Sequence, residues 1–296
     1  MHHTAIMDHE NSIKIRMFDP STMNHSRISL IIGCKSKGKS TLQLDLARHM
    51  AQKVDFGVAF SPTSATVEQW NRCMHPSWIH STLDLDRIRA MMEAQQRLML
   101  TKKHRARTLF LLLDDCVYDR SVLRNKTMRN LFMQIRHLNC YTSVTVQSVH
   151  NVPPDVRQMG DYVFCTHESS LSVRKQLYTY FYSVFPTFEE FDIVFRTCTR
   201  DHAVLVIDNT IMSPQQPSDC VFWYRADPDP EPFTFGNPVF HRLADEHAAM
   251  RAEQAKERPR LEARPRKVPL EIEVVPEAPP LTPPLRTAEP IAVEIA

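Results

Sequence analysis

The sequence predicts an α/β protein: a mostly parallel sheet with helices on both faces, built around a phosphate-binding loop and followed by a poorly ordered tail. Three observations carry this. Only five glycines occur in 296 residues, yet Gly33 and Gly38 fall inside one eight-residue window, GCKSKGKS. Short aliphatic runs alternate with helical stretches through the first 225 residues, the pattern of parallel strands joined by crossover helices. Charge and proline then change together: residues 1–225 carry a net +6 and residues 226–296 a net −4, with 13 of the 21 prolines in the latter.

The elements follow in order. Ile28–Ile32 is a short buried strand that runs into the glycine window, and a helix opens behind it over 41–52. Val54 to Phe60 is a second strand, and 78–80 a short third. Leu85 to Leu100 reads as a helix. Leu109 to Leu113 (LFLLL) is the longest aliphatic run and the central strand. Residues 122–137 place apolar side chains at 123, 127/128, 131/132 and 135, an amphipathic helix with a basic outer face. Strands follow at 141–147, 162–165, 203–207 and 221–224. This defines a phosphate-loop domain over 1–225. Residues 226–296 form a Pro-rich acidic tail, expected to be largely disordered, because proline lacks a backbone donor and fixes φ. Within it, 240–258 is rich enough in Ala, Glu, Arg and Gln for a helix.

Composition excludes several classes. At 43% hydrophobic and 24% charged, the chain is neither a disordered protein nor a collagen or disulfide scaffold. No apolar run approaches the roughly 18 residues of a membrane span, so no stable membrane insertion is expected. The opening MHHTAIMDHENS lacks the apolar core of a secretory signal, so the seven cysteines are expected to be reduced; none forms a C-x-x-C pair, and no zinc site is expected.

The glycine window matches G-x-x-x-x-G-K-[ST] in the required strand–loop–helix setting. Gly33, Cys34, Lys35, Ser36, Lys37, Gly38, Lys39, Ser40 and Thr41 are the candidate phosphate-binding residues. Glycine lets the loop curl so that backbone N–H groups face phosphate oxygens, and the helix N-terminus adds about half a positive charge. Lys39 is placed to reach the β- and γ-phosphates and Ser40 to ligate Mg²⁺. Asp114 and Asp115 close the central strand about 75 residues downstream. The first is the candidate Mg²⁺ acid; the second is placed to polarise an attacking water. The 75-residue separation leaves room for an additional strand between the two motif strands, as in motor-type ATPases, with Gln147 as the sensor at its end.

GCKSKGKST, LFLLLDDC, IRHLN, VTVQSVHNVPPDVRQMGDYVF, VFPTFEEF, VLVIDNT and DCVFWYRA occur in this order. Over roughly residues 13–226 the chain resembles the genome-packaging ATPases of poxviruses and other large nucleocytoplasmic DNA viruses, within the FtsK/HerA superfamily. The resemblance implies a RecA-like P-loop NTPase core with an additional strand and a homo-oligomeric ring. It also implies ATP-driven transfer of double-stranded DNA, without sequence preference, into a preformed capsid. ATP and Mg²⁺ are the implied substrate and cofactor, and capsid or portal proteins the implied partners. The implied location is the cytoplasmic assembly site of an infected host cell, with the virion as a further one. Lys39, Asp115 and Gln147 carry over as catalytic residues, and Ser40 and Asp114 as metal residues. Arg136, just before the sensor strand, is similar to the superfamily's arginine finger, which acts across the subunit interface; Arg157 is a second candidate. Each is also readable as a surface arginine or a structural ion pair. Asp115 stands where the wider superfamily often has Glu, so its carboxylate is one methylene shorter. Asp208 and Asn209 match a family motif with no assigned chemistry.

DNA contact has weaker support in the residues. Lys102, Lys103, His104, Arg105 and Arg107 form a basic run, and Arg120, Arg124, Lys126 and Arg129 decorate the next helix, a pattern that fits phosphate tracking or plain solvation. Two other functions fit a phosphate loop: a nucleotide or polynucleotide kinase, and an ATP-binding structural component of a virion portal.

Overall fold

The computed structural model describes residues 13–101, 107–116 and 120–257. The chain alternates strands and helices: β1 (Arg16–Met17), β2 (Ile28–Ile32), α1 (Lys39–Met50), β3 (Phe56–Phe60), α2 (Ser64–Asn71), β4 (Ile79–His80), α3 (Leu85–Leu100) and β5 (Leu109–Leu113). It continues through α4 (Arg120–Arg124), α5 (Lys126–Gln134), β6 (Cys140–Val146), α6 (Pro154–Met159), β7 (Tyr162–Cys165), α7 (Leu171–Phe181) and α8 (Phe188–Cys198). β8 (Val204–Asp208), α9 (Pro217–Cys220), β9 (Val221–Tyr224) and α10 (Pro238–Glu257) complete the described residues.

The strands form one nine-stranded sheet in the order β1-β9-β8-β7-β2-β6-β5-β3-β4. All pairings are parallel except β7 with β8 and β8 with β9. β6 lies between β2 and β5, so the strand carrying the loop and the strand carrying the acids are separated by an inserted strand, as their spacing predicts. The five-residue strands β2 and β5 are buried along their whole length, because both sheet faces are covered. Their alternate residues enter opposite cores. Leu30, Leu109, Leu111 and Leu113 meet Ile88 of α3, Leu131 of α5 and Phe195 of α8. Ile31, Phe110 and Leu112 meet Leu42, Leu46 and Met50, one stripe of α1, and Trp70 of α2.

Two polar bonds fix α1 under the loop it follows. Buried Gln43 donates to Ser143 Oγ at 2.9 Å, and buried Asp45 accepts from Tyr224 Oη on β9. These two bonds set one register of helix on sheet, although the buried Gln43 Oε1 has no hydrogen-bond partner among the described residues.

Three departures from the sequence expectations concern one helix, the sheet margin and the tail. The single helix expected over 122–137 is two, because the Asn125 side chain accepts from Thr127 N at 2.8 Å and starts a fresh N-cap with extended backbone. The two-residue strand β1 is added at the sheet margin. Third, the segment after residue 225, assigned to the tail, stays on the domain as far as α10. Phe235 is fully buried, edge-on to Phe110 at 4.8 Å, and its N–H donates to Cys73 O at 2.8 Å. Gly236 turns the chain at φ 89°, where a Cβ would stand 2.8 Å from Asp55 O, and Phe240 stacks on Phe56 at 5.0 Å. The compact unit accordingly runs to Glu253. Disorder expected beyond 257 lies outside the described residues. Phe235→Ala should lower unfolding free energy by about 3–5 kcal/mol, measured by urea denaturation, because it opens a cavity against the sheet; a loss under about 1 kcal/mol would mean the segment is only laid on the surface.

Candidate active site

The loop is held open by its own backbone. Gly33 N extends the sheet ladder to Val146 O at 3.0 Å, and a Cβ on Gly33 would fall 1.8 Å from Thr166 Oγ1. Only glycine lets the turn leave β2 past the end of β7. Ser36 (φ 61°) and Gly38 (φ 83°) adopt left-handed backbone, and Gly38 becomes the N-cap of α1. The helix therefore starts at Lys39, two residues earlier than the sequence suggests, and its free N–H groups face the loop. Lys39 is 6% exposed and donates from Nζ to Cys34 O at 3.1 Å. Cys34 leans on Glu168, Sγ to Oε2 3.4 Å; burial, then that carboxylate, raise its thiol pKa.

The acids meet the loop as their positions predict. Asp114 is 1% exposed, and Ser40 Oγ of α1 lies 3.4 Å from its Oδ1. Ser61 Oγ, beyond β3, donates to Asp114 Oδ2 at 3.2 Å, and Thr145 Oγ1 of β6 donates to Oδ1 at 3.2 Å. Burial, then the neighbouring charge of Asp115, push the Asp114 pKa up, and the three hydroxyls pull against that rise. Asp115 leaves the strand in left-handed conformation at φ 48°. Its N–H donates to the same Thr145 hydroxyl at 2.8 Å, and Gln147 Nε2 donates to its Oδ1 at 3.2 Å. One threonine thus links the Asp114 carboxylate to the Asp115 backbone, and Gln147 faces the Asp115 carboxylate.

Ser61 and Thr145 escaped the sequence reading. A signal existed for each. Phe60 is the register partner of Leu113, so Ser61 stands opposite Asp114. Thr145 belongs to a period-two polar file, Ser143, Thr145 and Gln147, in an otherwise covered strand.

The structure does not bring Arg136 to this cluster. It precedes β6, whereas the loop follows the C-terminal end of the parallel strand β2. A strand length, about 17 Å, separates the two ends. There Arg136 Nη2 donates to Asp161 Oδ1 at 3.0 Å, and Asp161 also accepts from Ile28 N at 2.9 Å. Arg157 is held within its own chain: Nε donates to Val152 O at 2.8 Å, and its guanidinium lies 3.7 Å from the Tyr180 ring centre. Asp208 and Asn209 also sit at the far end. Asp208 Oδ1 accepts from Thr210 N, and Asn209 Nδ2 donates to Gly160 O, both at 2.8 Å, which ties the end of β8 to the start of β7.

Of the basic run, residues 102–105 lie outside the described residues, as does the side chain of Arg120. Arg107 is paired with Asp55 at 2.5 Å and Arg129 with Asp155 at 2.8 Å. Among the described residues no group of three or more His, Cys, Asp or Glu side chains could hold a metal ion by itself, and no helix is long and apolar enough to cross a membrane.

A profile of the family described as poxvirus A32 protein matches residues 16–227. Uncharacterized protein 088R of Invertebrate iridescent virus 3 is 28% identical over 229 residues, covering 73% of this chain and 86% of that one. Uncharacterized protein 075L of Invertebrate iridescent virus 6 is 27% identical over 217 residues, covering 73% and 83%. Among solved structures, the genome packaging NTPase B204 from Sulfolobus turreted icosahedral virus 2, in complex with AMPPCP, aligns with TM-score 0.50 at 13% identity, over 69% of this chain and 100% of that one. At that identity the likeness concerns the fold, and it is that of a phosphate-loop NTPase.

Proposed function

The chain belongs to the poxvirus A32 protein family, and from that membership and the site geometry we propose that it is the ATP-hydrolysing motor of viral DNA packaging. The observation that carries the chemistry is the Ser40–Asp114 approach: the hydroxyl that opens the loop helix and the acid that ends β5 face each other at 3.4 Å across an inserted strand.

The loop N–H groups and Lys39 bind the triphosphate. Ser40 and Asp114 are the residues that would hold Mg²⁺. The site fits such an ion: its donors are all oxygens, which a hard cation prefers, and a buried carboxylate beside a second carboxylate lacks compensating positive charge. When bound, the ion neutralises charge on the β- and γ-phosphates. Asp115 takes a proton from water as the water oxygen bonds the γ-phosphorus; the bond to the bridging oxygen breaks and ADP leaves. Gln147, hydrogen-bonded to Asp115, orients that water and senses loss of the terminal phosphate. Arg136 serves the site of a neighbouring subunit in a ring, since a strand length separates it from its own.

The work is transfer of double-stranded DNA into a capsid in the infected cell, with capsid or portal proteins as partners. Arg124 and Lys126 are candidates for phosphate tracking. A steady-state ATPase assay on the wild type should show stimulation by double-stranded DNA that collapses between about 50 and 200 mM salt, as counterion release requires. A rate indifferent to DNA at every salt concentration would remove the motor reading. Labelled γ-phosphate transferred to a nucleoside or a DNA end, instead of released, would favour the kinase.

A further inference from the structure

The strand order dictates which way a nucleotide lies. Asp114, Asp115 and Gln147 close β5 and β6, on one flank of β2, and β7 and β8 occupy the other flank. A triphosphate whose terminal group faces the acids must carry its nucleoside across the loop toward β7 and β8. A cleft of about 350 Å³ opens there, lined by Lys37 of the loop, His167 beyond β7, and the turn Thr199–Ala203 that leads into β8. That turn reaches the loop because β8 is antiparallel to β7, which brings its beginning to this end of the sheet. The volume is at the small end of ligand sites and suits a nucleoside more than a whole nucleotide.

The lining brings two imidazole rings and a guanidinium together with hydrogen-bonding groups. His167 Nδ1 lies 3.1 Å from Thr199 Oγ1. The Thr199 hydroxyl donates its own proton to Phe195 O at 2.7 Å, so His167 is the donor from Nδ1 and its Nε2 remains an acceptor. His202 Nδ1 stands 3.8 Å from where a Cβ on Gly38 would be, so the ring flanks the phosphate loop itself. Arg200, exposed on the same turn, offers a planar guanidinium that stacks well on aromatic faces. Asp201 (φ 50°) and His202 (φ 63°) are consecutive non-glycine residues in left-handed backbone, a strain that gathers where a ligand is held. The hydrolytic chemistry uses none of these side chains.

We infer that this cleft seats the nucleoside half of ATP, with His202 and Arg200 flanking the base and His167 Nε2 accepting a hydrogen bond from base or ribose. This rests on the reading above that the loop binds a triphosphate, and the test separates the two. Titration calorimetry of the full chain with ATP and with inorganic tripolyphosphate, each with Mg²⁺, compares wild type, Lys39→Ala, Arg200→Ala and His202→Gly. Glycine at 202 keeps the left-handed turn without strain. Arg200→Ala and His202→Gly are expected to weaken ATP by about tenfold each while tripolyphosphate changes less than about twofold, and Lys39→Ala to weaken both ligands. ATP affinity unchanged in both turn variants, with Lys39→Ala still defective, overturns the nucleoside seat and leaves the phosphate loop standing. Equal weakening of the two ligands also overturns it, because the turn would then act on the loop. A wild type that binds neither ligand sinks the parent reading and this one with it.

Discussion

Arg136→Ala is expected to lower ATP turnover of the assembled protein about 10³-fold or more, the range an arginine supplied by a neighbour contributes. Stability should barely move. Arg136 is 69% exposed, and Asp161, once deserted, keeps the Ile28 N–H and Arg27, whose Nε lies 3.5 Å away. A pair with so exposed a partner is worth about 0–1 kcal/mol. The structural role and the finger role therefore predict opposite patterns. Mixing Lys39→Ala with Arg136→Ala subunits should restore part of the activity, because an interface that joins an intact loop to an intact arginine re-forms between one copy of each. Mixed assemblies of confirmed mass that stay inactive would defeat the shared site. Wild-type turnover in Arg136→Ala alone would leave the residue as an ion pair and nothing more.

Asp114→Asn should have two effects of opposite sign. Hydrolysis should fall by about 100-fold or more, since oriented oxygen ligands around a metal are costly to replace. Folding stability, measured without nucleotide and with chelator, should rise by about 1–2 kcal/mol, worth a few degrees in Tm for a domain of this size. The sign follows from the raised pKa. The folded state holds the Asp114 proton more tightly than the unfolded chain, whose value is near 3.8. The native protein therefore loses stability as pH rises from that value through the raised one, and carries the whole penalty above it. Asparagine does not titrate, so its advantage should be complete at neutral pH and shrink as the medium is acidified. A destabilised variant at pH 7 would show that the hydroxyls of Ser40, Ser61 and Thr145 hold the charge at no net cost.

The legible parts of this protein were those in which one physical requirement dominates. β2 and β5 are buried on both faces, so their aliphatic runs mark their ends to the residue. The loop needs glycine where Thr166 crowds Gly33 and where Gly38 turns left-handed, and a chain with few glycines advertises both. Other parts depend on partners distant in sequence. β1 is two exposed residues whose partner strand, β9, lies at the other end of the domain sequence, so no local apolar pattern marks it. The helix break at Asn125 turns on a side chain choosing its neighbour's N–H, which periodicity does not register. The FTFG segment, set among prolines, reads as tail by average composition; one aromatic that finds Phe110 outweighs the average. Ser61 and Thr145 acquire meaning only once β3, β5 and β6 lie side by side. The motif order did identify Lys39, Ser40, Asp114, Asp115 and Gln147, and the fold draws those five to one end of the sheet.

Among the described residues, the sheet begins and ends with β1 and β4, each only two residues long. Such brief margins offer almost no unpaired backbone for another copy to zip onto. Crowding many copies together should therefore not seed fibrils. In the ring proposed above, neighbouring subunits would cohere through side chains and not through shared strands, so each protomer would keep its own sheet.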